Sequence, residues 1–116
     1  MSVVVLKGKP KKNHIKKARE DHKNYIKITA DLEKKIIAIG GEYHADAEKI
    51  LAEKYGAKQR SIWGGGYNID LDEFETIAVI NIKQPNNPSS EIIDQKVRKE
   101  FLEFVKRELA DIKSLL

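Results

Sequence analysis

Apolar and polar positions alternate so as to divide the chain into short strands and amphipathic helices. Val3-Val4-Val5-Leu6 is apolar and β-branched, which predicts a short strand over residues 2–6. Gly8 and Pro10 end it and break the chain. From Lys11 to about Asn24 the sequence is polar nearly all round. Ile15, Ala18 and His22 stand three and four residues apart, so a helix with one thin apolar stripe is expected there. Ile26, Ile28 and Ala30 alternate with Lys27 and Thr29, the period of a half-buried strand over Tyr25 to Ala30. A second strand is expected from Lys35 to Ile39, joined to the first as a hairpin. Gly40-Gly41 ends it. A helix is expected from about Tyr43 to Tyr55, with Ala47, Ile50, Leu51 and Tyr55 on one face and Gly56 as a left-handed cap.

The second half is read in the same way. Gln59–Trp63 and Tyr67-Asn68-Ile69 are strand-like, and Gly64-Gly65-Gly66 between them marks a bulge or a close backbone approach. Asp70 to Glu73 is a turn. Phe74 to Ile82 is the most apolar stretch and is expected to be the central strand. Gln84 to Ser90, with two prolines and two asparagines, is a loop. Asp94 caps a long final helix carrying Val97, Phe101, Leu102, Val105, Leu109, Ile112 and Leu116 at helical spacing. The resulting order, β-α-β-β-α-β-β-α, predicts an α+β fold. Its expected form is a small, mostly antiparallel sheet of about five strands, with about three helices on one face.

Length changes this picture little: residues 1–116 make one domain with a modest core. The absence of cysteine excludes disulfide frameworks, thiolate metal sites and cysteine nucleophiles. No apolar run is long enough for a signal peptide or a membrane span, so a soluble, cytoplasmic protein without a membrane partner is expected. Charge changes the picture more. Residues 7–27 hold nine of the 22 Lys/Arg but only two acids, Glu20 and Asp21, for a net +7. The remaining thirteen bases and sixteen acids sum to −3. Lys9, Lys11, Lys12, Lys16, Lys17, Arg19 and Lys23 are therefore the candidate nucleic-acid contacts, with a solvated helix face as the plainer alternative.

The richest chemistry lies at the start of the second helix. Glu42, His44 and Asp46 are candidate acid–base groups, with Asp46 orienting His44, or candidate ligands for a divalent metal. Residues two apart face the same way only in extended chain, and a helix rotates them about 200° from each other. If the helix begins at Tyr43, the three do not meet, and Asp46 and Glu48 simply suit the dipole of its first turn. No His-Glu-x-x-His, phosphate-loop or Gly-x-Gly-x-x-Gly pattern is present. Trp63 beside the glycines is a candidate ligand platform or a core anchor. Asn81, Asn86 and Asn87 are candidate ligand-binding amides, or turn and capping groups.

Taken together, Gly40-Gly-Glu-Tyr-His-Ala-Asp-Ala-Glu48, Gln59, Trp63-Gly64, Ile80-Asn81-Ile82, Asn86-Asn87, Glu91-Ile92 and Asp94 resemble a family of short microbial proteins known only as a domain of unknown function. The resemblance runs from about Tyr25 to Arg98. It leaves the basic arm outside, and Lys83-Gln84 stands where the family has a basic-Pro pair. The resemblance implies that these polar residues form one recurring signature, and so one shared pocket. The readings therefore span three classes. The first is a polar ligand or metal pocket around Glu42, His44, Asp46 and Asn81–Asn87, with or without catalysis. The second is a nucleic-acid-associated module using Lys7–Lys23. The third is an interaction or homo-oligomerising protein using an exposed edge strand or the final helix.

Overall fold

The structure, a computed structural model, describes residues 2–116. Five strands form one antiparallel sheet: β1 (Val4–Leu6), β2 (Tyr25–Asp31), β3 (Ile36–Ile39), β4 (Ile62–Asn68) and β5 (Glu73–Glu75), in the spatial order β1-β3-β2-β4-β5. Three helices accompany it: α1 (Lys12–Ala18), α2 (His44–Tyr55) and α3 (Gln95–Glu108). The α+β architecture expected from the pattern is present.

Register explains why both faces of the sheet need cover. Ile28 stands opposite Ile39 on one side and Gly65 on the other, and Ala30 stands between Ile37 and Trp63. These positions point to a single face, where Phe101, Phe104, Val105 and Leu109 of the C-terminal region close the main core together with Ile15 and Ala18 of α1. On the opposite face Thr29 lies between Ala38 and Gly64, and Asp31 between Ile36 and Ile62. There α2 contributes Ala47 and Leu51 to a second, smaller cluster with Ala38, Ala57 and Ile62. The expectation of helices on one face is thus corrected. β3 is apolar at every position, so a second helix must shield its other side.

Three further corrections arise from packing. β4 runs unbroken through Gly64–Gly66, without the bulge the glycines also allowed, and Gln59–Ser61 ahead of it form a 3-10 turn instead of strand. Phe74 to Ile82 is not the central strand: only Glu73–Glu75 pairs, at the sheet edge, and β2 occupies the centre. Beyond it Thr76 and Ala78 turn inward while Ile77 and Val79 stay exposed, and residues 79–81 form a 3-10 turn. The two terminal helices are also shorter than expected. α1 stops at Ala18, where its apolar stripe ends, and α3 stops at Glu108, with Ile112–Leu115 in a separate 3-10 turn packed against α1.

The caps hold where their chemistry was clear. Asp94 accepts hydrogen bonds from the amides of Lys96 and Val97, and Gly56 adopts φ 69° beyond α2. Among the described residues, no helix is long and apolar enough to cross a membrane.

Candidate functional site

Two of the polar residues singled out in the sequence, His44 and Asn81, meet at the bare backbone of β4. Gly64 and Thr29 are paired across β4 and β2, and with no side chain on Gly64 the ring of His44 lies against it. A Cβ at Gly64 would stand 2.9 Å from His44 Cδ2 and 2.7 Å from the Ala78 methyl. A Cβ at Gly65 would collide with the Glu75 carbonyl oxygen, with the Phe101 ring next. A Cβ at Gly66 would run into the Tyr25 ring. The glycine run is therefore a close-approach surface, one of the two meanings its sequence allowed.

His44 opens α2, and its Nε2 lies 2.7 Å from the Gly65 carbonyl oxygen. A carbonyl can only accept, so Nε2 donates and the neutral ring keeps its lone pair on Nδ1. Burial lowers the His44 pKa from 6.5 to about 4, against the pull of the Gly65 hydrogen bond; the charges of Lys27 and His22 lower it further. At neutral pH this imidazole is uncharged. It ties the first turn of α2 to the sheet.

Asn81 takes the place of a missing strand. Its Oδ1 accepts from the Gly64 amide at 2.8 Å and its Nδ2 donates to the Gly64 carbonyl at 2.9 Å, which extends the ladder beyond the end of β5. The same Nδ2 lies 3.2 Å from the Thr76 carbonyl and 3.0 Å from that of Ser90. Asn87 repeats the pattern one layer out. Its Nδ2 reaches the carbonyls of Asn81, Ser89 and Glu91, and its Oδ1 accepts from the Ile93 amide, all at 2.9 Å. Both asparagines are fully buried and their amides are occupied by backbone. Asn86 is exposed on the loop.

Glu42 and Asp46 do not join His44. The Glu42 side chain is exposed, and only its backbone carbonyl is used, 3.3 Å from His22 Nε2. Asp46 sits half-buried in the first turn of α2, with its amide bonded to the Tyr43 carbonyl. Because the helix begins at His44, the three side chains diverge. Among the described residues, no group of three His, Asp or Glu side chains could hold a metal ion. Trp63 is 8% exposed and belongs to the main core.

A different set of groups surrounds the open edge of β4 beside this junction. Glu48 stands one turn after His44, and its Oε2 is buried without a hydrogen-bond partner. Thr29 Oγ1 and Asp31 Oδ2, on the α2 face of β2, are also buried without partners. Lys83 is half-buried. Its ammonium donates to the Ile80 carbonyl at 2.9 Å and lies 5.0 Å from the Trp63 ring centroid. Burial lowers the Lys83 pKa, while the negative charge of Glu48 opposes that shift. Lys83 and Glu48 nonetheless close no ion pair. Two open cavities of about 310 Å³ each share Gln59 as a wall. Ala45, Glu48, Lys49, Ala52 and Ile62 line one, and Arg60, Ile82, Lys83 and Gln84 line the other.

Glu48 stands four residues after His44, so helical spacing alone places this carboxylate on the His44 side of α2. Lys83 and Arg60 carry no such spacing, since only the fold brings their two loops together beside Gln59. The candidate nucleic-acid residues are also placed. Lys9, Lys11, Lys12, Lys16, Lys17 and Lys23 are exposed and Arg19 is half-buried. Lys12, Lys16, Arg19 and Lys23 line a separate cavity of about 360 Å³, together with Ile15, Leu115 and Leu116.

No curated protein and no solved structure matches the chain. A family model described as "Protein of unknown function (DUF5674)" matches residues 4–108, extending well past the Tyr25 to Arg98 resemblance and across the basic segment, and the chain belongs to that family.

Proposed function

We propose that this protein binds a small polar molecule across the two adjoining cavities that share Gln59, together the Gln59 cleft. In this reading Glu48 accepts a donor group of the ligand, while Lys83 and Arg60 face its carboxylate, phosphate or carbonyl oxygens. One observation carries the reading: the Glu48 Oε2 atom is buried and has no donor, although a lysine whose charge interacts with it stands nearby. A buried oxygen left unsatisfied costs about 1–3 kcal/mol, so a ligand that supplies a donor recovers this energy on binding. The half-buried Lys83 ammonium is a cation already partly stripped of water, which strengthens its attraction for an incoming anion. His44 and Asn81 act as positioning residues, fixing α2 and the 76–93 loop on the two sides of the cleft.

The test is amide NMR on labelled protein titrated in turn with amino acids, dicarboxylates and mononucleotides. The expected result is saturable shifts gathered on residues 45–52, 59–62 and 82–84, lost in Glu48→Gln and in Lys83→Met. Shifts that avoid these segments, or that survive both substitutions, would count against the cleft.

A second reading, association through an apolar surface, is favoured by the exposure of Ile77, Val79, Ile82 and Ile93 on one connecting segment. It predicts concentration-dependent sedimentation that Val79→Asp abolishes; a monomer at all concentrations would dismiss it.

A further inference from the structure

We infer that the α1 face is a second, independent site, which binds the phosphodiester backbone of nucleic acid in the groove between α1 and the C-terminal 3-10 turn. The groove is lined by Lys12, Lys16, Arg19 and Lys23. None of the four is in an ion pair with any described residue, and α1 has no acid in its first turn. Both acids in this segment, Glu20 and Asp21, are exposed; Asp21 accepts a hydrogen bond from the Ser2 hydroxyl, and neither closes an ion pair with the four cations. Arg19 is held in place by a hydrogen bond from its Nη2 to the Lys23 carbonyl, at 3.3 Å.

The arrangement suits a polymer of regularly spaced charges. Lys12 and Lys16 lie four residues apart, about 6 Å along the axis, Arg19 caps the helix end, and Lys23 lines the same groove beyond it. A single small anion meets only part of this set, whereas successive phosphates meet all of it. The groove floor is aliphatic, formed by Leu115 and Leu116, and no aromatic side chain lines it. It offers a surface for sugars but no stacking platform for bases. Affinity is therefore set by phosphate contacts, with little sequence preference. Leu115 and Leu116 are two neighbouring residues lining a cavity, not the extended apolar face of an amphipathic helix, which disfavours a membrane surface as the occupant.

The test is the anisotropy of a labelled single-stranded oligonucleotide titrated with the full chain at several salt concentrations. Four phosphate contacts predict a log–log salt slope of about −3, or roughly a 50-fold loss of affinity between about 50 and 200 mM salt. The double variant Lys12→Ala, Lys16→Ala should halve the slope and weaken binding about 25-fold near 0.1 M salt. Lys99→Ala, Lys106→Ala on the outer face of α3 removes the same charge and should leave binding nearly unchanged. Absence of oligonucleotide binding at low salt would overturn the inference. So would equal weakening in the α3 control, or binding to phosphatidylserine vesicles without binding to oligonucleotide. Because Lys12 and Lys16 line neither of the cavities that hold Glu48 and Lys83, failure here leaves the Gln59 cleft standing, and the converse also holds.

Discussion

His44 makes the fold sensitive to acid in a window that its environment defines. Burial holds its pKa near about 4, against 6.5 for the free side chain. A base whose folded pKa is depressed contributes fully above its unfolded pKa. That contribution falls as the pH drops from 6.5 toward 4, because the unfolded chain binds the proton first, and below 4 it changes no further. At about 1.36 kcal/mol per pH unit, the total loss through this residue is about 3 kcal/mol, of which about 2 kcal/mol has gone by pH 5. Against a typical domain stability of about 5–15 kcal/mol this is a large share. Urea unfolding of the native chain and of His44→Gln at about pH 7.5 and pH 5 measures it. Glutamine can still donate to the Gly65 carbonyl but does not titrate, and every other ionisable group is common to both proteins. The native chain should lose about 2 kcal/mol more than the variant on acidification. Equal losses would show that the ring is not held neutral by the fold. Nitrogen shifts of the imidazole at neutral pH should also report a proton on Nε2.

The remaining predictions concern the supports of the same junction. Asn81→Ala strands the amide and carbonyl of Gly64 and should cost about 2–5 kcal/mol in urea unfolding, whereas an amide that merely decorates a loop would cost under about 0.5. Gly65→Ala should cost about 1–3 kcal/mol or more, because the obstacle to a methyl group there is the Glu75 main chain rather than a side chain free to swing away. A native-like thermal midpoint for Gly65→Ala would refute that close contact. Asp94→Ala should destabilise the protein by about 1 kcal/mol through loss of the α3 cap, read as a lowered thermal midpoint that Asp94→Ser largely restores.

The features legible in the sequence were local. Asp94 ahead of a regular apolar spacing announced α3, the Ile26-Ile28-Ala30 alternation announced β2, and Gly56 announced the end of α2. These signals depend on neighbours along the chain. The local pattern misleads where a distant partner decides. Gly64–Gly66 looks like a break until the His44, Phe101 and Tyr25 rings that need the bare backbone are in view. Phe74 to Ile82 looks like a core strand until the Asn81 amide takes the ladder position beside Gly64. Helical geometry already allowed that Glu42, His44 and Asp46 would diverge, and a helix starting at His44 realises that case. Glu48 is legible as a neighbour of His44, but its proximity to the charge of Lys83 is not, since 34 intervening residues separate them. The basic groove is similar: its four cations lie close in sequence, while Leu115 and Leu116 reach it from the opposite end of the chain.

The most direct test of the central claim is the NMR titration of the native chain and Glu48→Gln with a panel of small polar molecules. The Gln59 cleft predicts saturable shifts on residues 45–52, 59–62 and 82–84 for at least one compound, lost or strongly weakened in the variant. A panel that moves none of these residues, or that moves them equally in both proteins, would contradict a ligand seated against the Glu48 carboxylate.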